Sequence, residues 1–180
     1  NYIGHSNKDK NLKRDDNGDV SIWFKPTNGK SGKNSWITVK RSDIPKGEII
    51  DKYKVMISKD GHAENSETKP ENIFNNMAIV LNPGQISTDR PYLLEAESRE
   101  EAILLAEYAN SKFFRRLLHI QDKASSIPKS AFNDVPDISE WNKVFLKQKS
   151  QFNSLDEFLN NYYNLSPKII TDINNRISIK

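Results

Sequence analysis

"SREEAILLAEYANSKFFRRLLHI", residues 98–120, changes the hydrophobic period of the sequence and thereby decides the fold class. Ahead of this stretch apolar residues tend to alternate, whereas within it they recur at helical spacing. Ser98 and Glu101 form a capping box, in which each side chain can satisfy a free backbone N–H at a helix start. The apolar stripe that follows consists of Ala102, Leu105, Ala106, Ala109, Phe113 and Leu117. The spacing therefore predicts one long helix over 99–119.

Short runs of β-branched and aromatic residues precede this helix and predict strands. The clearest run is "YKVMIS" at 53–58, in which Tyr53, Val55 and Ile57 alternate with the other three residues. Asn82-Pro83-Gly84 marks a turn. The first two predicted strands could form a hairpin. Strands are expected near 20–24, 35–39, 53–58, 77–81 and 91–96.

Helix signals return near the C-terminus. Ser154 and Glu157 form a second capping box, and Ser166-Pro167 supplies an N-cap with a proline in the first turn. The order of elements predicts an α+β fold, in which a small mixed or antiparallel sheet packs on the long helix and a small helical tail follows. We expect a flexible lead-in at 1–19, an α+β domain at 20–140 and a C-terminal helical extension at 141–180.

Composition excludes several function classes. The 180 residues contain no cysteine, which rules out disulfides, thiolate metal sites and cysteine nucleophiles. No apolar run approaches the roughly 20 residues that cross a bilayer, and no signal-peptide core is visible near the start. We therefore expect a cytoplasmic protein with no membrane partner. The net charge of +3 is too small to indicate a nucleic-acid partner by itself, so the placement of the charges matters more.

Several common catalytic motifs are missing from the sequence. "GKSGK" at 29–33 has the wrong spacing for a phosphate-binding P-loop, the three histidines lack metal-ligand spacing, and no Gly-x-Ser-x-Gly elbow occurs. Asp60, Glu67 and Lys69 resemble the Asp…Glu-x-Lys arrangement of metal-dependent nucleases, in which carboxylates hold Mg²⁺. That chemistry needs a strand, whereas 60–72 reads as a polar loop. A nuclease domain stays open as an alternative.

A basic cluster follows the predicted long helix. Lys112, Arg115, Arg116, Lys123 and Lys129 fall within eighteen positions and are opposed only by Asp122. Lysine and arginine neutralise phosphates, and short hydroxyl donors such as Ser125 fix the register of a bound duplex. Gln121 could read a base edge. The same cations are also typical of a solvated helix C-terminus, where they match the helix dipole. Composition alone leaves both interpretations open.

A second group of cations lies in the N-terminal half, between 25 and 59. Lys30 and Lys33 occupy the expected tip of the first hairpin, and Arg90 lies in a loop before a strand, from which it could reach a groove. A protein-interaction module with a basic surface that meets an acidic partner is the remaining alternative. We expect base contacts from loops 60–76 and 82–90 if the partner is DNA.

Three blocks of the chain resemble the C-terminal region of adenine-specific DNA methyltransferases from bacterial type II and type IIG restriction-modification systems. The first is "WITVKRSDIPKGEIIDKYKVMISK" (36–59), with its Tyr-Lys-Val-hydrophobic-Ile-Ser-Lys motif. The second, 91–139, contains a helix with Lys-Phe-Phe-Arg and then an aromatic-x-x-Val-Pro motif. The third is Trp141 followed by "SLDEFLNNYYNLSPKIITDINNRI" (154–177).

The resemblance implies a double-stranded-DNA target-recognition domain of an adenine-N6 methyltransferase, without the catalytic part. The family's Asn/Asp-Pro-Pro-aromatic loop and its glycine-rich S-adenosylmethionine loop are absent here. We therefore expect no cofactor in this chain, and S-adenosylmethionine in a methyltransferase domain that would precede it. The positions matched to the family are Lys54, Ser58, Lys59, Lys112, Arg115 and Lys123.

Overall fold

A computed structural model describes residues 15–24, 35–44, 47–59, 77–87, 91–121 and 127–177, and these residues confirm the α+β class. The strands are β1 (Val20–Phe24), β2 (Ser35–Val39), β3 (Tyr53–Ile57), β4 (Ile79–Leu81), β5 (Gln85–Ser87) and β6 (Tyr92–Ala96). The α-helices are α1 (Arg99–Asn110), α2 (Lys112–Gln121), α3 (Asn142–Gln148), α4 (Leu155–Tyr162) and α5 (Pro167–Arg176). Short 3₁₀ helices span Arg41–Asp43, Gly47–Asp51, Lys129–Phe132, Ile138–Glu140 and Lys149–Gln151.

The described strands form two three-stranded sheets instead of the single sheet that the sequence predicts. One has the order β2-β1-β5, in which β1 and β2 form the expected antiparallel pair and β5 runs parallel to β1. The other has the order β4-β3-β6 and is antiparallel throughout. Strand β5 was not predicted, because three residues after a turn carry too little pattern to recognise. The turn at Asn82-Pro83-Gly84 connects β4 of one sheet to β5 of the other.

Packing divides the chain into two compact units, with the division inside α1 between Ile103 and Leu104. The first unit holds all six strands, and the second holds Ser58, Lys59, Met77, Ala78 and everything from Leu104 onward among the described residues. Helices α3, α4 and α5 therefore share a unit with α2. The predicted boundary at 140/141 does not coincide with this division.

The core of the first unit is aliphatic and joins the first sheet to the two 3₁₀ segments that follow it. Its buried members are Val20, Ile22, Val39, Ile44, Ile50 and Ile86. Residues 15–19 belong to the fold, although the sequence predicts a flexible lead-in. Asp15 donates its N–H to the carbonyl of Thr38 at 2.9 Å, and a Cβ at Gly18 would approach the Val39 carbonyl oxygen to 2.5 Å. Glycine is thus required at that position.

Strand β3 is the centre of the second sheet, and four of its five residues are buried. The predicted alternation of Tyr53, Val55 and Ile57 with more polar positions is wrong here, because Lys54 and Met56 are buried as well. A central strand that is covered on both faces reads as a nearly continuous buried run, not as a half-exposed one. The cost of burying a lysine there has to be offset by its partners.

The long helix predicted over 99–119 is interrupted at Ser111. The Ser111 hydroxyl donates to the Tyr108 carbonyl at 2.7 Å and accepts from the Phe114 N–H at 3.1 Å, which ends α1 and caps α2. The break changes the helical phase. Leu117, which the continuous stripe places in the core, is only half-buried, whereas Phe114 and Leu118 are buried.

The second unit has an aromatic core. The Trp141 side chain is fully buried, and its ring centroid lies 5.1 Å from that of Tyr108 and 6.2 Å from that of Phe145. Phe145 packs in turn on Phe158, with 5.0 Å between centroids. Rings at these distances with tilted planes combine large buried area with favourable quadrupole contacts. This cluster joins α1, α3 and α4 of the unit.

Candidate nucleic-acid interface

The N-terminus of α2 is closed by a carboxylate from α4. Asp156 accepts from the backbone N–H of Lys112 through Oδ2 at 3.0 Å and from that of Phe113 through Oδ1 at 2.8 Å. A helix N-terminus is otherwise a ready site for a phosphate, because its N–H groups point outward and the dipole favours an anion. Here the protein's own anion already occupies that position.

Arg115 is an internal residue, with 1% of its residue surface exposed. Its Nη2 donates to the side-chain oxygen of Asn110 at 3.3 Å and contacts the Met77 sulfur at 3.4 Å. Burial lowers the pKa of Arg115, and the Asp156 carboxylate opposes that shift. A guanidinium in this position is inaccessible to a phosphate. The assignment of Arg115 to DNA contacts is therefore inconsistent with this structure.

Lys54 is likewise internal, with 0% of its residue surface exposed. The ammonium donates to three backbone carbonyls, those of Lys52 at 2.5 Å, Ile50 at 3.2 Å and Asn82 at 3.4 Å. Burial lowers the pKa of Lys54 to about 8, against the opposing charges of Asp51 and Glu95. The side chain ties the 3₁₀ segment before β3 to the turn after β4. It has no route to a DNA phosphate, so its assignment as a contact is corrected too.

Arg116 links α2 to α5. Its Nε and Nη2 both donate to Asp172 Oδ2, at 3.1 and 2.8 Å, and its Nη1 lies 2.8 Å from the Nδ1 of His119. Arg176 also approaches Asp172, with 3.4 Å between Nε and Oδ1. Lys112 reaches the same helix through a 3.2 Å bond to Asn174 Oδ1. Arg116 and Lys112, both predicted DNA contacts, thus have partners within the protein. Arg116 is paired with a carboxylate, whereas Lys112 is bonded to a neutral amide.

Three exposed cations among the described residues of the first unit are in ion pairs with acids of the same unit. Lys40 lies 3.3 Å from Asp15, Lys52 lies 2.5 Å from Glu95, and Arg41 pairs with Asp51. Such exposed pairs are weak and are screened by salt. They nevertheless reduce the positive surface that the sequence suggests, because each of the three cations is matched by a carboxylate.

Of the remaining predicted DNA contacts, Ser58, Lys59, Gln121 and Lys129 are described by the structure and the others are not. Ser58 and Lys59 are half-buried, and the Lys59 carbonyl accepts from Ile127 N–H at 3.0 Å. Lys129 is exposed and makes no ion pair with another described residue. Gln121 ends α2, and only its backbone is described. Five predicted DNA contacts lie outside the described residues: Lys30, Lys33, Arg90, Lys123 and Ser125. The nuclease candidates Asp60, Glu67 and Lys69 lie outside them as well.

Sequence reasoning overlooked three lysines around α3. Lys143, Lys147 and Lys149 are all exposed, and none of them pairs with a carboxylate in the part of the chain that the structure describes. The Lys149 ammonium lies 5.6 Å from the centroid of the Phe145 ring. The spacing of these lysines was visible in the sequence. The sequence pattern points first to the cations around Arg115, because a helix end followed by serines is a more familiar phosphate-binding pattern.

An apolar groove of about 670 Å³ runs between α2 and α5. Its apolar wall includes Phe113, Leu117 and Ile173, and the most exposed apolar residues in it are Ile120 (60%) and Ile169 (48%). Lys168 lies on its rim and makes no ion pair with the described acids. A groove with this lining can accept apolar side chains.

Within the described ranges no group of three histidine, aspartate or glutamate side chains is placed to hold a metal ion. Among those residues, too, no helix has the length and apolar character needed to cross a membrane. Comparison of the chain with protein-family models, with curated proteins and with solved structures found no match.

Proposed function

We propose that this chain is a double-stranded-DNA target-recognition module of an adenine-N6 DNA methyltransferase from a restriction-modification system. It carries no catalytic machinery of its own. Methyl transfer and the binding of S-adenosylmethionine belong to a separate methyltransferase domain, which is the module's second partner. The target adenine would be flipped out of the duplex into that domain's pocket.

The observation that carries the proposal is where the family-like motifs lie in the fold. Of the Tyr-Lys-Val-hydrophobic-Ile-Ser-Lys motif, the four residues from Lys54 to Ile57 are buried in β3. Of Lys-Phe-Phe-Arg, the last three residues are buried in α2. Trp141, which opens the third block, is fully buried. The residues that resemble the family are thus buried residues that hold the fold together. This supports a scaffold shared with the family, on which the exposed parts differ between recognition sequences.

This placement also gives Lys54 and Arg115 a different role within the same proposal. They are frame residues and not DNA contacts, since both are buried and donate hydrogen bonds to protein oxygens or sulfur. Phosphate contacts fall to exposed cations such as Lys129. Base contacts would come from surface segments, in keeping with the general rule that rigid scaffolds present variable recognition loops.

Selection from a library of randomised duplexes tests the proposal. The chain is equilibrated with the library in dilute salt, bound duplexes are recovered over several rounds, and the pool is sequenced. One enriched motif that contains an adenine is the expected result. If duplexes are recovered without any enriched sequence, the chain binds DNA but does not recognise a target site. The same chain incubated with S-adenosylmethionine and the enriched duplex should transfer no methyl group.

The groove between α2 and α5 favours a second candidate function, a protein-interaction module. Ile120 and Ile169 expose apolar surface there beside Lys168, so the matching partner is a polypeptide with an apolar face and a neighbouring carboxylate. Ile169→Glu should abolish such an interaction and leave duplex binding unchanged. The nuclease alternative has its own test, which is Mg²⁺-dependent cleavage of duplex DNA that Glu67→Ala removes.

A further inference from the structure

Helix α3 presents an acid-free basic face to solvent. Phe145 is buried against Trp141 and Phe158 and thereby fixes which side of the helix faces inward. Lys143 and Lys147 are two positions before and after it, about 200° around a helix with 3.6 residues per turn. Both therefore lie on the side opposite the core, and both are exposed.

The charge on this face is unbalanced. No acidic residue occurs between Asn142 and Leu155, and within the described residues neither lysine is in an ion pair. By contrast, Lys40, Arg41 and Lys52 of the first unit each have a carboxylate partner. Two lysines four apart on one helix repel each other mildly. An anion that spans both would relieve that repulsion.

We propose that Lys143 and Lys147 of α3 contact the phosphate backbone of the bound duplex, an inference that rests on the proposed function. Lysine is a flexible point charge that suits phosphates without regard to sequence. It is depleted in the cores of protein–protein interfaces, which argues against a protein partner for this face. The contacts position the module on the duplex and read no bases. Leu146, which lies between the two lysines in the sequence, is 66% exposed. Its replacement therefore tests whether α3 contacts the duplex through apolar surface instead of through its lysines.

The experiment compares variants of the whole chain for the salt dependence of duplex affinity. The slope in question is that of the logarithm of the association constant against the logarithm of the salt concentration. Lys143→Gln/Lys147→Gln should make this negative slope shallower by about 1.8, since each neutralised phosphate contributes about 0.9. The affinity at 0.1 M salt should fall by more than about tenfold. Arg99→Gln/Lys168→Gln, which removes two exposed cations elsewhere, should keep the wild-type slope. Lys149 is left in place because its ammonium lies over the Phe145 ring.

Each outcome separates the two proposals. Absence of duplex binding by the wild-type chain overturns the proposed function, and the inference with it. Wild-type binding with an unchanged slope in the α3 variant overturns the inference alone, and so does an equal loss in the Arg99/Lys168 variant, which would indicate a general effect of net charge. If Leu146→Ala weakens duplex binding as much as the lysine changes, α3 makes an apolar contact instead of phosphate contacts.

Discussion

Arg115 donates from Nη2 to the side-chain oxygen of Asn110, 3.3 Å away, and thereby fixes the orientation of that amide. The same Asn110 side chain brackets one backbone residue, because it accepts from the Ala78 N–H at 2.7 Å and donates to the Ala78 carbonyl at 2.9 Å. Arg115 also contacts the Met77 sulfur. A cation that the sequence places on a DNA-binding surface thus holds the chain at Met77 and Ala78 onto the helical unit.

Arg115→Ala should therefore reduce stability. Truncation removes a large buried side chain and a hydrogen bond to Asn110, and changes of this kind cost about 2 to 4 kcal/mol of unfolding free energy. Urea denaturation followed by circular dichroism measures the effect, and Lys143→Gln on the surface should stay within about 0.5 kcal/mol of wild type. Full stability combined with weakened duplex binding would restore Arg115 as a phosphate contact.

Lys54 should make stability depend on pH in the alkaline range. Its pKa is about 8 in the folded chain and about 10.4 in an unfolded one. Between these values the unfolded state binds more protons, so stability rises with pH and levels off below about pH 8. From pH 8 to pH 9.5 the gain should be about 1 to 2 kcal/mol relative to Lys54→Met, which cannot titrate. Tyrosine ionisation complicates the comparison at higher pH.

Parallel pH curves for the wild type and Lys54→Met would contradict this account of Lys54. They would mean that the ammonium keeps its ordinary pKa through its three carbonyl partners. The carbonyl bonds themselves would then offset the cost of burial completely, and Lys54 would be charged throughout the accessible range.

Arg116 and Asp172 should couple energetically. A double-mutant cycle with Arg116→Gln and Asp172→Asn should give a coupling of about 0.5 to 1 kcal/mol, because two guanidinium nitrogens donate to the same Asp172 oxygen and the Arg116 side chain is largely buried, whereas Asp172 is partly exposed. The coupling should shrink in 1 M salt. The exposed pair of Arg41 and Asp51 is the matched control and should couple more weakly. Additive effects of the two changes at Arg116 and Asp172 would mean that the pair contributes nothing to joining α2 and α5.

Asp156→Ala should destabilise the chain by about 1 to 2 kcal/mol, since it removes the only described side-chain acceptor of the Lys112 and Phe113 N–H groups. Asp134→Ala, at an exposed site, is the control. Chemical denaturation of both variants measures the difference. Equal stabilities would show that water caps α2 as well as the carboxylate does.

Features that depend on neighbouring residues could be predicted from the sequence. The cap residues are correct, because Ser98 accepts from Glu101 N–H at 3.1 Å and Ser154 accepts from Glu157 N–H at 3.2 Å. Such bonds join residues three apart and are visible in a short window. The antiparallel pairing of β1 with β2 follows in the same way from two neighbouring β-rich runs.

Contacts between residues that are distant in the chain could not be read from local patterns. Lys54 receives a partner from Asn82, Arg115 from Met77 and Arg116 from Asp172, which are 28, 38 and 56 positions away. A basic residue looks solvent-exposed until its distant partner is known, so the sequence assigned all three to a DNA surface. The helix break at Ser111 was missed because serine can also remain inside a helix with its hydroxyl bonded to an earlier carbonyl.

Fluorescence anisotropy of a labelled duplex, titrated with the wild-type chain at several salt concentrations between about 50 and 300 mM, tests the central claim most directly. If the chain binds duplex DNA through backbone phosphates, the logarithm of the association constant should fall linearly with the logarithm of the salt concentration, with a slope near −0.9 for each phosphate contacted. No binding in dilute salt, or an affinity that does not change with salt, would contradict a DNA-recognition function.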